Sequence, residues 1–227
     1  VTLLFIHGAG FFGDVFAAQT ADFAESHAPD LPGHGTAGQP ESVGEFASFI
    51  ARYVSERALR DVVLCGHSLG GAIAMQTALD RAIPLKAVVL LGCGARLRVA
   101  PAFLQGFQSD FESTAREVAS YFFAEPTPAR IEWAVGCMRR VGQGQTLRDF
   151  RACDAFDVLE RLGEISVPVL ALTGEADKMT PPKFTHALAD RVPRGQARIL
   201  GRAGHFSMVE RPAETNEAIR TFLSGVV

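Results

Sequence analysis

With 227 residues, 48% apolar and 21% charged, the chain has material for one globular domain carrying an insertion. A formal charge of −3 excludes the strongly basic surface of a nucleic-acid or anionic-membrane binder. No apolar run reaches the ~18 residues of a spanning helix, no signal-peptide pattern opens the chain, and Cys65, Cys93, Cys137 and Cys153 form no C-x-x-C pair, so the expectation is a cytoplasmic protein with reduced, packing cysteines.

Thr2–His7 predicts a strand, ended by Gly8-Ala-Gly10. Phe12, Val15, Phe16, Ala18 and Phe23 then recur at helical spacing over 11–25. A short strand is expected near Ser26–Pro29, running into the turn-rich Asp30-Leu-Pro-Gly-His-Gly35. Ser42-Val-Gly-Glu45 has capping-box spacing and opens a helix with Phe46, Phe49, Ile50, Tyr53 and Val54 on one side. Val62–Cys65 is an apolar run suited to a strand buried on both faces. Gly66-His-Ser-Leu-Gly70 follows it, then a helix from Gly71 to Leu79. Gly66 and Gly70 remove the side chains that would clash at a sharp turn, which lifts Ser68 clear of the sheet at a helix N-terminus. Lys86–Gly92 is the next strand.

No strand is expected over 95–162. Four helices are, at about 101–111, 114–124, 128–141 and 146–162, with Thr114-x-x-Glu117 as a capping box for the second. Alternation resumes with a strand at Val167–Thr173, a loop over 174–182, a helix at Lys183–Val192, a strand at Ala197–Leu200, a loop to His205 and a last helix at Pro212–Leu223. Repeated strand–helix alternation with apolar strands predicts an α/β fold. Its sheet is mostly parallel and covered by helices on both faces, with sites at the carboxyl ends of the strands.

Two chemically useful residues lie at such ends. Asp177 falls four residues past the strand ending at Thr173, and His205 five past the strand ending at Leu200. A serine hydroxyl is a poor nucleophile near neutral pH and needs a base to take its proton. His205 can serve, since imidazole titrates near neutrality, and Asp177 would fix its tautomer and stabilise the imidazolium. A developing oxyanion needs preorganised donors, for which the expected groups are the Ala9 and Leu69 backbone N–H. Asp30, Asp154 and Asp157 could also serve as the acid, but none follows a strand as Asp177 does. His7 and His34 are either second bases or loop-shaping residues; His67 is expected to be structural, and His27 and His186 to be surface residues. With no further His, Cys or carboxylate cluster, neither a metal nor a cofactor is expected.

Leu4-Phe-Ile-His-Gly8, Asp30-Leu-Pro-Gly-His-Gly35, Gly66-His-Ser-Leu-Gly-Gly71, Gly174-Glu-Ala-Asp177 and Ala203-Gly-His-Phe206, followed by Glu210-Arg-Pro212, stand in one order along the chain. Together they resemble the α/β-hydrolase superfamily over nearly the whole length. The resemblance implies a hydrolase core over 1–94 and 163–227, with 95–162 as a helical cap above the active site. It implies a serine hydrolase cleaving a carboxylic ester through Ser68, His205 and Asp177, acting on a small molecule and not on nucleic acid or a membrane. The family's usual leading β-hairpin is not seen, which leaves the sheet edge open. Three activities compete with ester cleavage on this fold. One is that of a menaquinone-pathway lyase branch, which carries an arginine after its Gly-Gly where this chain has Ala72. The second is carbon–carbon hydrolysis, and the third is ligand sensing with a retained triad. Phe11, Phe107, Phe122, Phe123, Trp133, Met179 and Phe206 are the candidate lining of an apolar pocket for a short to medium acyl or aromatic group. Arg139 and Arg140 read as a solvated face or, more sharply, as a clamp for a substrate carboxylate or phosphate. Glu210 is expected to fix the approach to the last helix.

Overall fold

In the computed structural model, which describes residues 1–226, the apolar runs become β1 (Thr2–Ile6), β3 (Val62–His67), β4 (Leu85–Leu91) and β5 (Val169–Gly174). They form the middle of one parallel sheet in the order β2-β1-β3-β4-β5-β6, with β2 (Ser26–His27) and β6 (Gly195–Leu200) at its edges. Leu4, Leu64, Val88 and Val169 stand side by side across it. β3 and β5 are buried along their whole length, as expected of strands covered on both faces, whereas β6 exposes Gln196, Ala197 and Arg198. The two-residue β2 forms the near edge of the sheet among the described residues.

Helices flank the sheet. α2 (Val43–Glu56) and α3 (Leu69–Asp80) pack on each other, and α3 lies against β1, β3 and β4. The first seven residues of α3 are all buried, which explains why it is apolar all round and not amphipathic. α8 (Pro182–Arg191) covers β5 and β6, and α10 (Pro212–Ser224) meets α1 (Ala17–Asp22) and α9 (Ser207–Glu210). No helix among the described residues is long and apolar enough to cross a membrane. All four cysteines are buried and unpaired.

Between β4 and β5 the chain makes a helical excursion through α4 (Pro101–Ser109), α5 (Phe111–Ala119), α6 (Pro128–Val141) and α7 (Gln143–Ala155). It leaves and returns at one place, where Arg96 bridges Asp157 and the Val158 N–H donates to the Ala95 carbonyl at 2.9 Å. α7 is the helix of this group that packs on α3.

Several expected boundaries shift for local reasons. The helix expected over 11–25 is a 3₁₀ turn at Gly13–Phe16 followed by α1. Gly13 sits so close to the second loop that a Cβ there would stand 2.0 Å from the Ala28 carbonyl, and its N–H is taken by Asp30 at 2.7 Å. Thr114 does not cap α5. Asp110 does, accepting from the Ser113 N–H at 3.3 Å, and the Thr114 hydroxyl turns back to the Asp110 carbonyl. Ser42 caps α2 through the Glu45 N–H, but Glu45 reaches the amide of Glu41, one residue before the expected partner. The helix expected over 146–162 ends at Ala155, and a separate 3₁₀ turn occupies Leu159–Glu164.

Candidate active site

Ser68 lies between β3 and α3 with φ 52° and ψ −114°, a conformation that a residue with a side chain rarely adopts. The neighbours make this turn obligatory. A Cβ on Gly66 would meet the Gly70 carbonyl oxygen at 2.1 Å, and one on Gly70 would meet the Ile6 carbonyl oxygen at 2.0 Å. The Ser68 backbone is fully engaged: its N–H donates to Leu91 at 2.9 Å, and its carbonyl accepts from Gly71 and Ala72. The hydroxyl is thus left at the N-terminus of α3, on the wall of a cavity of about 610 Å³ that His205 also lines.

His205 Nδ1 stands 2.9 Å from Asp177 Oδ2, and both side chains are buried. Facing a carboxylate, Nδ1 carries the proton, so Nε2 is the free lone pair of the neutral ring. Asp177 also accepts from the Thr173 and Thr180 hydroxyls and from the Met179 and Thr180 amides, at 2.7–2.8 Å. Burial by itself would raise its pKa, but the His205 charge and these donors outweigh burial and hold it at about 2. Asp177 is therefore ionised at neutral pH. The three rival acids are occupied elsewhere: Asp30 on Gly13, Asp154 on the Val99 amide, and Asp157 on Arg96.

Ala9 lines the same cavity, and Leu69 is the first residue of α3, so its N–H has no acceptor within the helix. His7 and His34 lie behind this loop as shaping residues. His7 Nε2 accepts from the Leu31 N–H at 2.9 Å, and Nδ1 lies 3.0 Å from the Gly8 carbonyl. His67 lines the cavity, packed against His205 and Phe206, with Nε2 on the His205 carbonyl at 3.2 Å and Nδ1 unpartnered. His27 is half-buried beside Tyr53, and His186 is exposed.

Burial pushes the His7 pKa down to about 3 and that of His67 well down. Both are neutral when folded but take a proton in the unfolded chain once pH falls below about 6.5. Stability is therefore intact above that value and lost on acidification, each histidine removing about 1.4 kcal/mol per pH unit until its folded pKa is reached. Asp177 adds a loss in the same direction below about pH 4. The expected result is a melting temperature that falls steadily from about pH 6.5 to pH 4. A flat profile over that range would contradict the neutral burial of His7 and His67.

Of the seven candidate lining residues, Phe11, Phe122, Met179 and Phe206 line the cavity and three do not. Phe107 is fully buried against Phe150 and Phe111. Phe123 is fully buried behind Phe206, and Trp133 lies on the outer face of Phe11 at 39% exposure. The rest of the wall comes from Leu97 and Val99, the turn with Leu159 and Leu162, Phe150 on α7, and the α8 residues Phe184, Ala187 and Leu188. Arg139 forms no clamp. Glu112 and Glu132 hold its guanidinium at 2.6–3.0 Å, while Arg140 lies over the Phe12 ring near Asp14.

Cations that spacing did not single out do gather here. Arg96, Arg98, Lys178, Lys183 and Arg191 line the cavity and, among the described residues, no carboxylate does. Arg96 and Arg98 pair with Asp157, but Lys178, Lys183 and Arg191 have no carboxylate partner among the described residues. Glu210 does more than set the approach to α10. Its carboxylate accepts from the Gly204 amide at 2.6 Å and the Ala124 amide at 3.0 Å, tying the excursion to the His205 loop. Asp149 on α7, which no motif marks, is buried on His34 and Gly10 at 2.8 and 2.9 Å. Its one sequence signal is Gln145, one helical turn earlier on the same face of α7, whose amide donates to it at 2.8 Å.

Residues 3–218 match the model of the alpha/beta hydrolase family. The chain is 26% identical over 99% of its length to the dihydrolipoyllysine-residue acetyltransferase component of an acetoin cleaving system from Cupriavidus necator, and spans 64% of that protein. It is 24% identical to a pimeloyl-[acyl-carrier protein] methyl ester esterase from Pectobacterium atrosepticum, over 97% of this chain and 93% of that one. A solved structure of a thermophilic esterase is 30% identical over 99% of this chain and 90% of its own, with a TM-score of 0.87.

Proposed function

We propose that this chain, which belongs to the alpha/beta hydrolase family and is an esterase-like enzyme, cleaves carboxylic esters through an acyl-enzyme on Ser68. The observation that carries the reading is the buried His205–Asp177 pair at 2.9 Å, facing a cavity whose wall includes a serine on a strained, glycine-flanked turn. Ser68 attacks the ester carbonyl while His205 Nε2 takes its proton. The oxyanion rests on the Ala9 and Leu69 amides. His205 protonates the leaving alcohol, then deprotonates the water that releases the acid. Residues 95–162 act as a cap, with Phe122 contributing to the roof. The apolar wall suits a short to medium acyl or aromatic group.

The test is a chain-length series of p-nitrophenyl esters and matched thioesters, with and without a chelator. Turnover that peaks at short to medium acyl chains and survives the chelator is expected. No turnover across the series would end the reading. The unpaired cations add a selectivity. Mono-esters of dicarboxylic acids are expected to show a KM about three- to tenfold below neutral esters of equal length at low salt, a gap that closes near 0.5 M NaCl. Equal KM values at low salt would show that Lys178, Lys183 and Arg191 play no part.

A further inference from the structure

We infer that Asp149 is a positioning residue for the oxyanion loop: charge-paired with His34, it holds the Gly10 amide and so sets the direction of the Ala9 N–H. The inference rests on the serine-esterase reading above.

The Asp149 side chain is fully buried and meets only donors. Oδ2 takes the Gly10 N–H at 2.9 Å and His34 Nε2 at 2.8 Å, and Oδ1 takes Gln145 Nε2 at 2.8 Å. Three donors and no acceptor make it the carboxylate. His34 is also fully buried, and its two nitrogens face acceptors on both sides, Asp149 and the Pro32 carbonyl at 3.2 Å. A ring between two acceptors carries both protons, so His34 is an imidazolium. Burial opposes that state, but the Asp149 bond and charge outweigh it and raise the pKa. His7, 4.7 Å away, is the opposite case, a neutral ring that donates from Nδ1 to the Gly8 carbonyl and accepts at Nε2 from Leu31.

These contacts fix two successive peptide planes. In a trans peptide the C=O and N–H point in opposite directions. Holding the Gly8 carbonyl on His7 therefore turns the Ala9 N–H away from His7. Holding the Gly10 N–H on Asp149 fixes the following plane. Gly10, at φ +75°, is also packed so that a Cβ would meet Met138 Cγ at 2.7 Å. Asp149 and Met138 belong to the helical excursion, whereas Gly10 and His34 lie on loops after β1 and β2. Seating α7 and ordering the oxyanion donor are thus a single event. A buried ion pair of this kind contributes little net stability, since desolvation offsets attraction, but removing one partner strands the other.

The experiment uses Asp149→Asn and His34→Gln in this chain with a p-nitrophenyl ester, the product acid as ground-state ligand, and phenylboronic acid as a mimic of the tetrahedral intermediate. For each single variant, kcat is expected to fall about tenfold to a hundredfold, as for an oxyanion donor displaced by about 1 Å. Boronate affinity should fall by a similar factor, with KM and product-acid affinity within about twofold of wild type. Asp149→Asn/His34→Gln, with a neutral amide pair, should fall no further than the worse single variant. Wild-type kcat and boronate affinity in the single variants, whatever their melting temperatures, would overturn the inference. So would KM and product-acid affinity worsening together with kcat, which would mean general damage to the cavity. A wild-type enzyme that hydrolyses no ester in a Ser68-dependent way would overturn the esterase reading and this inference with it. If Asp149→Asn does not fold, His34→Gln carries the same comparison.

Discussion

Ser68→Ala is expected to lower kcat for ester hydrolysis by at least about 10⁴-fold while leaving the melting temperature within about 2 °C of wild type. The two halves of this result come from different atoms. The Ser68 amide and carbonyl anchor the turn through Leu91, Gly71 and Ala72, and alanine keeps all of those bonds. The hydroxyl lies half-buried on the cavity wall and can be removed without unfolding anything. What remains is the rate that binding and the oxyanion donors supply alone. His205→Ala should fall by a similar factor, and the double variant hardly further, because nucleophile and base act as a unit. Initial rates, active-site labelling with a fluorophosphonate and a thermal melt on the same sample decide it. Retention of more than about 1% of the wild-type rate by Ser68→Ala would place the nucleophile elsewhere.

Gly70→Ala is the second large effect, and it falls on stability first. The added methyl would stand 2.0 Å from the Ile6 carbonyl oxygen, 2.6 Å from its carbon and 2.8 Å from the His7 carbonyl oxygen. These are backbone atoms at the end of a central strand, so no side-chain rotation relieves the clash. Either α3 moves away from β1 or β1 bends, and both shift Ser68 and the Ala9 loop. Overpacking usually costs about 1–3 kcal/mol; a backbone clash this close should exceed about 4 kcal/mol. The melting temperature should drop by roughly 10 °C, with activity lost as well. Gly136→Ala is the control. Its Cβ would meet nothing within 4 Å, and it lies inside α6, where alanine is the better helix former by about 1 kcal/mol. If Gly70→Ala melts like wild type, the close approach of α3 to β1 is not the reason for that glycine.

The parts legible in the sequence are those with a local physical cause. Val62–Cys65 reads as a buried strand because both faces are apolar, and the glycines around Ser68 read as a sharp turn because only they clear the neighbouring backbone. Local reading fails where two local rules compete. Thr114 and Asp110 both offer an α5 cap, and the position of Asp110 after the α4 end decides between them. It fails again for the lining, because the expected helix over 114–124 ends at Ala119 and the loop after it takes its direction only from packing. Phe122 turns to the cavity, while its neighbour Phe123 turns behind Phe206.

From the sequence alone one can read the alternating fold, the Ser68 turn and the places of Ser68, Asp177 and His205 just past the ends of β3, β5 and β6, since each follows from residues within about six positions of it. The tertiary structure decided which walls form the cavity, that the cations without a carboxylate partner among the described residues come from a loop and α8, and that Asp149 sits beneath the loop after β1. Asp149 meets Gly10 across 139 residues and His34 across 115, a pairing no local rule reaches. Only a folded sheet with α7 docked on α3 brings a carboxylate, an imidazolium and a loop amide into one buried site, where each is held in place by the others.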